Sequence, residues 1–166
     1  DTLTLSAPVL PSWLSFDAGT GVLSGTPSNA DVGVHNVTLR VNDGTVDVDQ
    51  VFTITVGNTN DAPTVVNVIP DQAATEDSAF SFQFASNTFN DLDGDSLTYS
   101  SDASGWLSFD AATRTFSGTP LNGDVGTTTV TVTASDGNGG SISDSFDIVI
   151  SNINDAPTIT STAVTS

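Results

Sequence analysis

Asn58-Thr59-Asn60-Asp61-Ala62-Pro63 returns near the end of the chain as Asn152-Ile153-Asn154-Asp155-Ala156-Pro157, and this doubled stretch decides the fold because it marks the seams of a tandem repeat. Pro63 and Pro157 fix φ and bias Ala62 and Ala156 toward extended backbone, so neither helix nor free coil is expected at the joins. An Asp beside two Asn in a stiff linker is poor core material and a good ligand set for a hard cation.

Working outward, Trp13-Leu14-Ser15-Phe16-Asp17 recurs as Trp106-Leu107-Ser108-Phe109-Asp110. Ser24-Gly25-Thr26-Pro27 recurs as Ser117-Gly118-Thr119-Pro120 and Asp31-Val32-Gly33 as Asp124-Val125-Gly126, all at one constant offset. The repeats are out of phase with the chain ends. Asp1-Thr2-Leu3-Thr4-Leu5 aligns with Asp95-Ser96-Leu97-Thr98-Tyr99, about a third of the way into the second copy. The expected organisation is an incomplete repeat over 1–61 that lacks its opening strands, a complete repeat over 62–155, and the start of a third over 156–166.

Within each copy the apolar residues alternate with polar ones, the period of a half-buried strand. Leu14 and Phe16, then Val37, Leu39 and Val41, then Phe52, Ile54 and Val56 form inward rows of the first copy. Phe80, Phe82 and Phe84, Leu97 and Tyr99, Phe116, then Val130, Val132 and Ala134, and finally Phe146, Ile148 and Ile150 do so in the second. Asp-Gly and Gly-Thr-Pro breaks separate the rows, and no segment carries helical periodicity. Seven short strands, the first two at 64–69 and 78–85, predict a two-sheet antiparallel sandwich of immunoglobulin size. The fold class is all-β: tandem Ig-like sandwiches, the first one truncated. Without its two opening strands, the first sandwich is expected to expose an apolar face and unpaired edges.

Charge narrows the function. Lys+Arg is 2 against Asp+Glu 20, a net charge of −18, which repels nucleic acid and anionic membranes. Glu76 is the one Glu, so the acidity is nearly all Asp, a short side chain suited to turns and cation sites. With no Cys there is no disulfide framework or thiolate metal site, and an extracellular domain so charged needs another staple, for which a divalent ion is the obvious choice. No apolar run is long enough to span a bilayer.

Asp91-Leu92-Asp93-Gly94-Asp95 is the densest acidic loop. Carboxylates at i and i+2 around a Gly, joined by a linker Asp and a carbonyl, can surround Ca²⁺, which takes about 6–8 oxygens and tolerates irregular geometry. An EF-hand competes, because Asp91, Asp93, Asp95 and Asp102 fall at its loop positions. Ser96 nevertheless stands where that loop needs Gly, and Leu97 to Ser100 reads as strand. Asp17 and Asp110, each followed by a Thr three residues on, read as turns that bond their own backbone.

Val130-Thr131-Val132-Thr133-Ala134-Ser135-Asp136-Gly137, continued to Asp155-Ala156-Pro157, resembles the closing third of a cadherin repeat. The Leu10-Pro11-Ser12-Trp13-Leu14-Ser15-Phe16-Asp17 to Gly25-Thr26-Pro27 segment resembles the dystroglycan-type cadherin-like and putative-Ig repeats of bacterial surface proteins. The resemblance implies calcium between consecutive domains, with Asn58, Asn60 and Asp61 from the linker, Asp91, Asp93 and nearby Asp95 from the following repeat, and its late acid Asp136. Asp31 is the rough counterpart of an acid in the preceding repeat, whose early Glu has no counterpart here. At the second seam the same roles fall to Glu76, Asp124, Asn154 and Asp155. It also implies neighbouring repeats, a copy of the same protein on another cell or a polysaccharide as partners, and a secreted or cell-surface location.

Three non-catalytic readings follow: a calcium-stiffened adhesin stalk, a polysaccharide-binding module, and a passive spacer of an exported enzyme. Trp13 and Trp106 lie opposite the Leu-Phe face, where an indole either folds over the sandwich edge or stacks on a sugar ring. An enzyme is not expected. One His, no Cys and no Lys leave only carboxylate chemistry, and a glycosidase wants a pocketed acid rather than Asp in open loops.

Overall fold

The computed structural model describes residues 2–157, which divide between Asn60 and Asp61 into two compact units, unit 1 and unit 2. The expected opening strand of a third repeat at 158–165 lies outside the described residues.

In unit 1, β1 (Thr4–Val9), β4 (Gly33–Asn42) and β5 (Asp47–Val56) make one sheet in the order β1-β4-β5, and β2 (Leu14–Asp17) pairs with β3 (Val22–Gly25). The register places Val37 opposite Phe52 and His35 opposite Ile54, so the inward rows expected from alternation do share one face. That face is thinly covered. Val37 is the one fully buried hydrophobic residue of the unit among those described, while Leu5, on the same face, is 44 % exposed and Val48 61 %.

In unit 2 the four-stranded sheet runs β10 (Thr98–Ser101), β13 (Gly126–Ser135), β14 (Ser141–Ser151), β7 (Gln72–Thr75). Facing it is the sheet β11 (Leu107–Asp110), β12 (Thr115–Gly118), β8 (Phe80–Gln83), and a short ribbon joins β6 (Thr64–Val65) to β9 (Phe89–Asn90). Val130, Val132 and Ala134 of β13 and Phe146, Ile148 and Ile150 of β14 supply one side of the core; Ile69, Ala74, Phe84, Phe89, Leu107 and Phe116 complete it. Phe146 joins the sheets through tilted and edge contacts with Phe82 at 5.7 Å and Phe116 at 5.4 Å, geometries that add to area burial.

Three expectations need correction. The sandwich is not wholly antiparallel, because β7 runs parallel to β14, with Ile148 opposite Gln72 and Ser151 opposite Thr75. The opening strand is two residues long instead of spanning 64–69: the N–H groups of Val66 and Asn67 both donate to Thr88 O, which bends the chain away from its partner. Among the described residues unit 2 carries nine strands, not seven, and each unit has one short 3-10 turn, Asn29–Asp31 and Asn122–Asp124.

Candidate metal centre

Where β9 ends, Asp91 turns the chain. Its Oδ1 accepts the N–H groups of Asp93 at 2.9 Å and Asp95 at 3.2 Å, and Gly94 takes the positive φ of 78° that the loop requires. One carboxylate oxygen from each of Asp91, Asp93 and Asp95 lies within 4.8 Å of the other two. Asp91 is 8 % exposed, and its Oδ2 and the Oδ1 of Asp93 are buried with no hydrogen-bond partner. Three like charges so close repel one another, and buried carboxylate oxygens left without donors are costly.

The surroundings hold this loop in place. The Asp61 N–H donates to Asp93 Oδ2 at 2.7 Å, tying the first residue of unit 2 to the acidic loop. On the other side, Asn138 donates its N–H to Asp136 Oδ1 at 2.8 Å and its side-chain amide to Asp95 Oδ2 at 2.8 Å. Asp136, 6 % exposed, also accepts from Gly140 N–H. Gly140 is required there, since a Cβ would lie 2.2 Å from Asp136 Oδ2 and 2.8 Å from Ala62 Cα. Asp61, Asp91, Asp93, Asp95 and Asp136 are thus gathered at one pole of unit 2. Asn138 and Gly140 were missed from sequence, where Asp-Gly-Asn-Gly-Gly reads only as a turn.

The donor chemistry fits a hard divalent cation. Every side-chain ligand available is an oxygen, three carboxylates supply the charge, and two of their oxygens lack any other partner. Nitrogen- or sulfur-seeking metals find nothing here.

Glu76 occupies a second position of interest, at the end of β7. It is fully buried, Oε1 accepts the Ile153 N–H, and Oε2 has no hydrogen-bond partner. Asp77 N–H donates to Pro120 O, bringing the Asn122–Asp124 turn beside this end of the strand. Asp124 spends its Oδ2 on the Leu121 N–H, and Asn154 and Asp155 are exposed. Asp31 is used likewise: Ser28 donates both N–H and hydroxyl to its Oδ2, and these bonds hold its pKa below the ordinary carboxylate value. Asn58 and Asn60 lie on the exposed linker of unit 1.

Asp17 and Asp110 close hairpin turns as expected, accepting from Gly19 and Ala112 N–H respectively. The EF-hand alternative is excluded by β10, and Asp102 instead accepts the Thr131 N–H. Trp106 is half-buried against the core, edge-on to Phe80 at 5.7 Å, and Trp13 is edge-on to His35 at 5.7 Å. His35 Nε2 lies 2.5 Å from Asp31 O, so its ring is engaged on both sides.

Three kinds of similarity bear on this arrangement. The chain is 36% identical over 149 residues to the serine-rich adhesin for platelets of Staphylococcus aureus, a match covering 87% of this chain and 6% of that protein. Mouse cadherin-23 repeats EC22-24 superpose with a TM-score of 0.61 at 18% identity, over 91% of this chain and 53% of that one, which shows the fold. An endo-fucoidan hydrolase of glycoside hydrolase family 107 superposes with a TM-score of 0.50 at 26% identity, over 93% of this chain and 24% of that one. The chain spans only a small part of the curated adhesins it matches. The family model described as "Putative Ig domain" covers residues 1–57 and 62–151, and the chain belongs to that family, as a tandem pair of its cadherin-like β-sandwich repeats.

Proposed function

We propose that this chain is a non-catalytic, calcium-binding module of a large secreted or cell-surface protein, in which bound Ca²⁺ stiffens a repeat array used for adhesion. The observation that carries the reading is the pair of buried, partnerless oxygens, Asp91 Oδ2 and Asp93 Oδ1, inside the Asp91-Asp93-Asp95 cluster. Those three residues would hold the ion, with Asp136 and Asp61 adjoining. Its chemistry there is electrostatic: it neutralises carboxylates that otherwise repel. Asp61 opens unit 2 immediately after the linker and is already bonded to Asp93, so ordering the loop orders the junction residue. Similarity to a staphylococcal adhesin and to cadherin repeats supports the surface and adhesive setting.

Catalysis has little to stand on. His35 is committed to Asp31 O and the Trp13 ring, and the acidic cluster belongs to the loop over 91–95 that its own backbone bonds hold closed. The likeness to an endo-fucoidan hydrolase supports a second reading, a spacer or polysaccharide-binding module carried by an exported enzyme. Glycan-array binding that survives chelation would favour it.

Calorimetric titration and melting of the full chain test the main reading. Extracellular modules bind calcium at about 10⁻⁴–10⁻³ M, so ~10 mM ligand, about 10–100 times its Kd, adds ~1.4–2.7 kcal/mol per site. Millimolar Ca²⁺ is therefore expected to raise the unit 2 transition measurably above that in EDTA, and Asp91→Asn with Asp93→Ala to remove the part of the rise that the acidic loop supplies. Identical melting in EDTA and millimolar calcium refutes the calcium reading.

A further inference from the structure

We propose that a groove of unit 2, between β10 and the β11–β12 hairpin, is a binding subsite for a carboxylated sugar, with Arg114 and Tyr99 as the residues that read the carboxylate. The inference rests on the polysaccharide reading, to which it gives a place on the chain, and it is independent of any bound cation.

Arg114 sits on a backbone that its side chain does not favour. Its φ of 57° is left-handed, and the corresponding turn of unit 1 has Gly21 there, at φ 70°. A residue with a Cβ in that region carries strain, which persists where the side chain has a use. The guanidinium is also unspent. Arg40 is ion-paired with Asp47 and Asp49, whereas no ion pair among the described residues includes Arg114, and its Nε is buried without a hydrogen-bond partner. In a chain with Lys+Arg 2 against Asp+Glu 20, a cation left without a carboxylate is the unexpected arrangement.

The groove joins it to a second polar group. Arg114 lines a cavity of about 350 Å³ with Leu97, Thr98, Tyr99, Ala111 and Ala112, a volume in the range of small-ligand sites. Tyr99 stands where unit 1 has Leu5. Its ring is fixed by Phe84 at 5.5 Å and Phe89 at 5.9 Å, and its hydroxyl bonds to nothing among the described residues. The guanidinium and the phenol therefore replace a Gly and a Leu of the other repeat, and both open on one groove.

The lining selects the ligand. A guanidinium fork matches a planar carboxylate, and the phenol adds a donor. Leu97, Ala111 and Ala112 beside the Thr98 hydroxyl offer apolar and polar contacts side by side, as suits a pyranose ring with C–H faces and a hydroxyl rim. At a net charge of −18 a polyanion is repelled, so the sugar that fits carries a single carboxylate on an otherwise neutral chain.

Calorimetric titration of the full chain tests this, comparing a xylo-oligosaccharide that bears one glucuronic acid branch with its neutral parent, in EDTA and in millimolar calcium. The acidic sugar is expected to bind at least about tenfold tighter in both media, as one hydrogen-bonded charge contact provides. Arg114→Gly, which installs the residue of the other repeat, is expected to abolish that preference while the unit 2 melting transition stays level or rises. Tyr99→Phe keeps the packed ring and the hairpin backbone and is expected to weaken the acidic sugar about threefold, which decides the matter if Arg114→Gly loosens the turn. Equal binding of both sugars, or a preference that survives both variants, overturns the subsite and leaves the polysaccharide reading standing. A peptide with one glutamate that binds as tightly as the acidic sugar overturns the choice of sugar, and a glycan array with nothing bound overturns both the subsite and the polysaccharide reading.

Discussion

Asp61 and Asp93, 32 residues apart in sequence, are joined by a 2.7 Å hydrogen bond from the backbone N–H of the first to Oδ2 of the second. The bond leaves Asp93 Oδ1 buried and free, so one carboxylate both anchors the first residue of unit 2 and offers an oxygen to a cation. Asp93→Ala is expected to weaken calcium binding at least about tenfold, as loss of a charged ligand does, and to increase protease cutting near residues 58–63 in calcium. In EDTA the unit 2 transition should barely move, since the substitution also removes a partnerless buried oxygen. Unchanged affinity would mean that the cluster holds no ion.

The two hairpins make a steric prediction. A Cβ on Gly118 would lie 2.0 Å from the Trp106 carbonyl oxygen, and one on Gly25 would lie 2.1 Å from that of Trp13. Gly118→Ala must push β11 from β12 and is expected to cost ~1–3 kcal/mol in unit 2. Gly123→Ala, with nothing within 4 Å, is the control that should leave the denaturant midpoint nearly unchanged.

Core truncation should separate the units. Phe116 is fully buried, and Phe116→Ala is expected to cost ~3–5 kcal/mol. Its counterpart Leu23 is only partly buried, so Leu23→Ala should cost less than about 2 kcal/mol, the lower end for a well-packed leucine. Equal losses in the two unfolding transitions would contradict the open face of unit 1.

These contrasts also explain what was legible in the sequence. The inward rows of β13 and β14 were readable because alternation over ten residues admits only one face, and Val130, Val132, Phe146 and Ile148 are all buried. Gln72-Ala73-Ala74-Thr75 carries no such signal. It is a strand only because β14 offers an open edge to pair with, so a tertiary partner decides it. The Asp91-Asp93-Asp95 cluster was legible from spacing, because a tight loop forces carboxylates at i, i+2 and i+4 together. Asn138 was not, since its side-chain bond reaches Asp95 from a separate hairpin, while its backbone bond to Asp136 is a local turn.

Acid should act on the turns with a definite sign. The Thr113 hydroxyl and then the Ala112 N–H donate to Asp110 and hold its pKa below the ordinary value. A depressed folded pKa means that the contribution is present above the unfolded value of about 3.9 and is lost as pH falls through the folded one. Asp110→Asn is therefore expected to be less stable than the parent at pH 7, with the gap closing below about pH 4. A gap that persists at pH 2 would assign the difference to packing instead of charge.

Glu76 permits the sharpest comparison, because its two oxygens differ. Oε1 accepts the Ile153 N–H at 2.5 Å, while Oε2 is buried without a hydrogen-bond partner. A carboxylate so enclosed, with no basic side chain paired to it among the described residues, is costly unless a cation completes it. Glu76→Gln keeps an oxygen for Ile153 and removes the charge. Without calcium the variant should be at least as stable as the parent. In millimolar calcium the order should reverse, because the parent gains from an ion at this end of β7 and the variant does not. An Asp91→Asn, Asp93→Ala background weakens the acidic loop, so that the calcium response that depends on Glu76 is read against a smaller one from there. If Glu76→Gln lowers the unit 2 transition equally in EDTA and in calcium, Glu76 serves only as the post on which Ile153 hangs, and calcium binding is confined to the Asp91 loop.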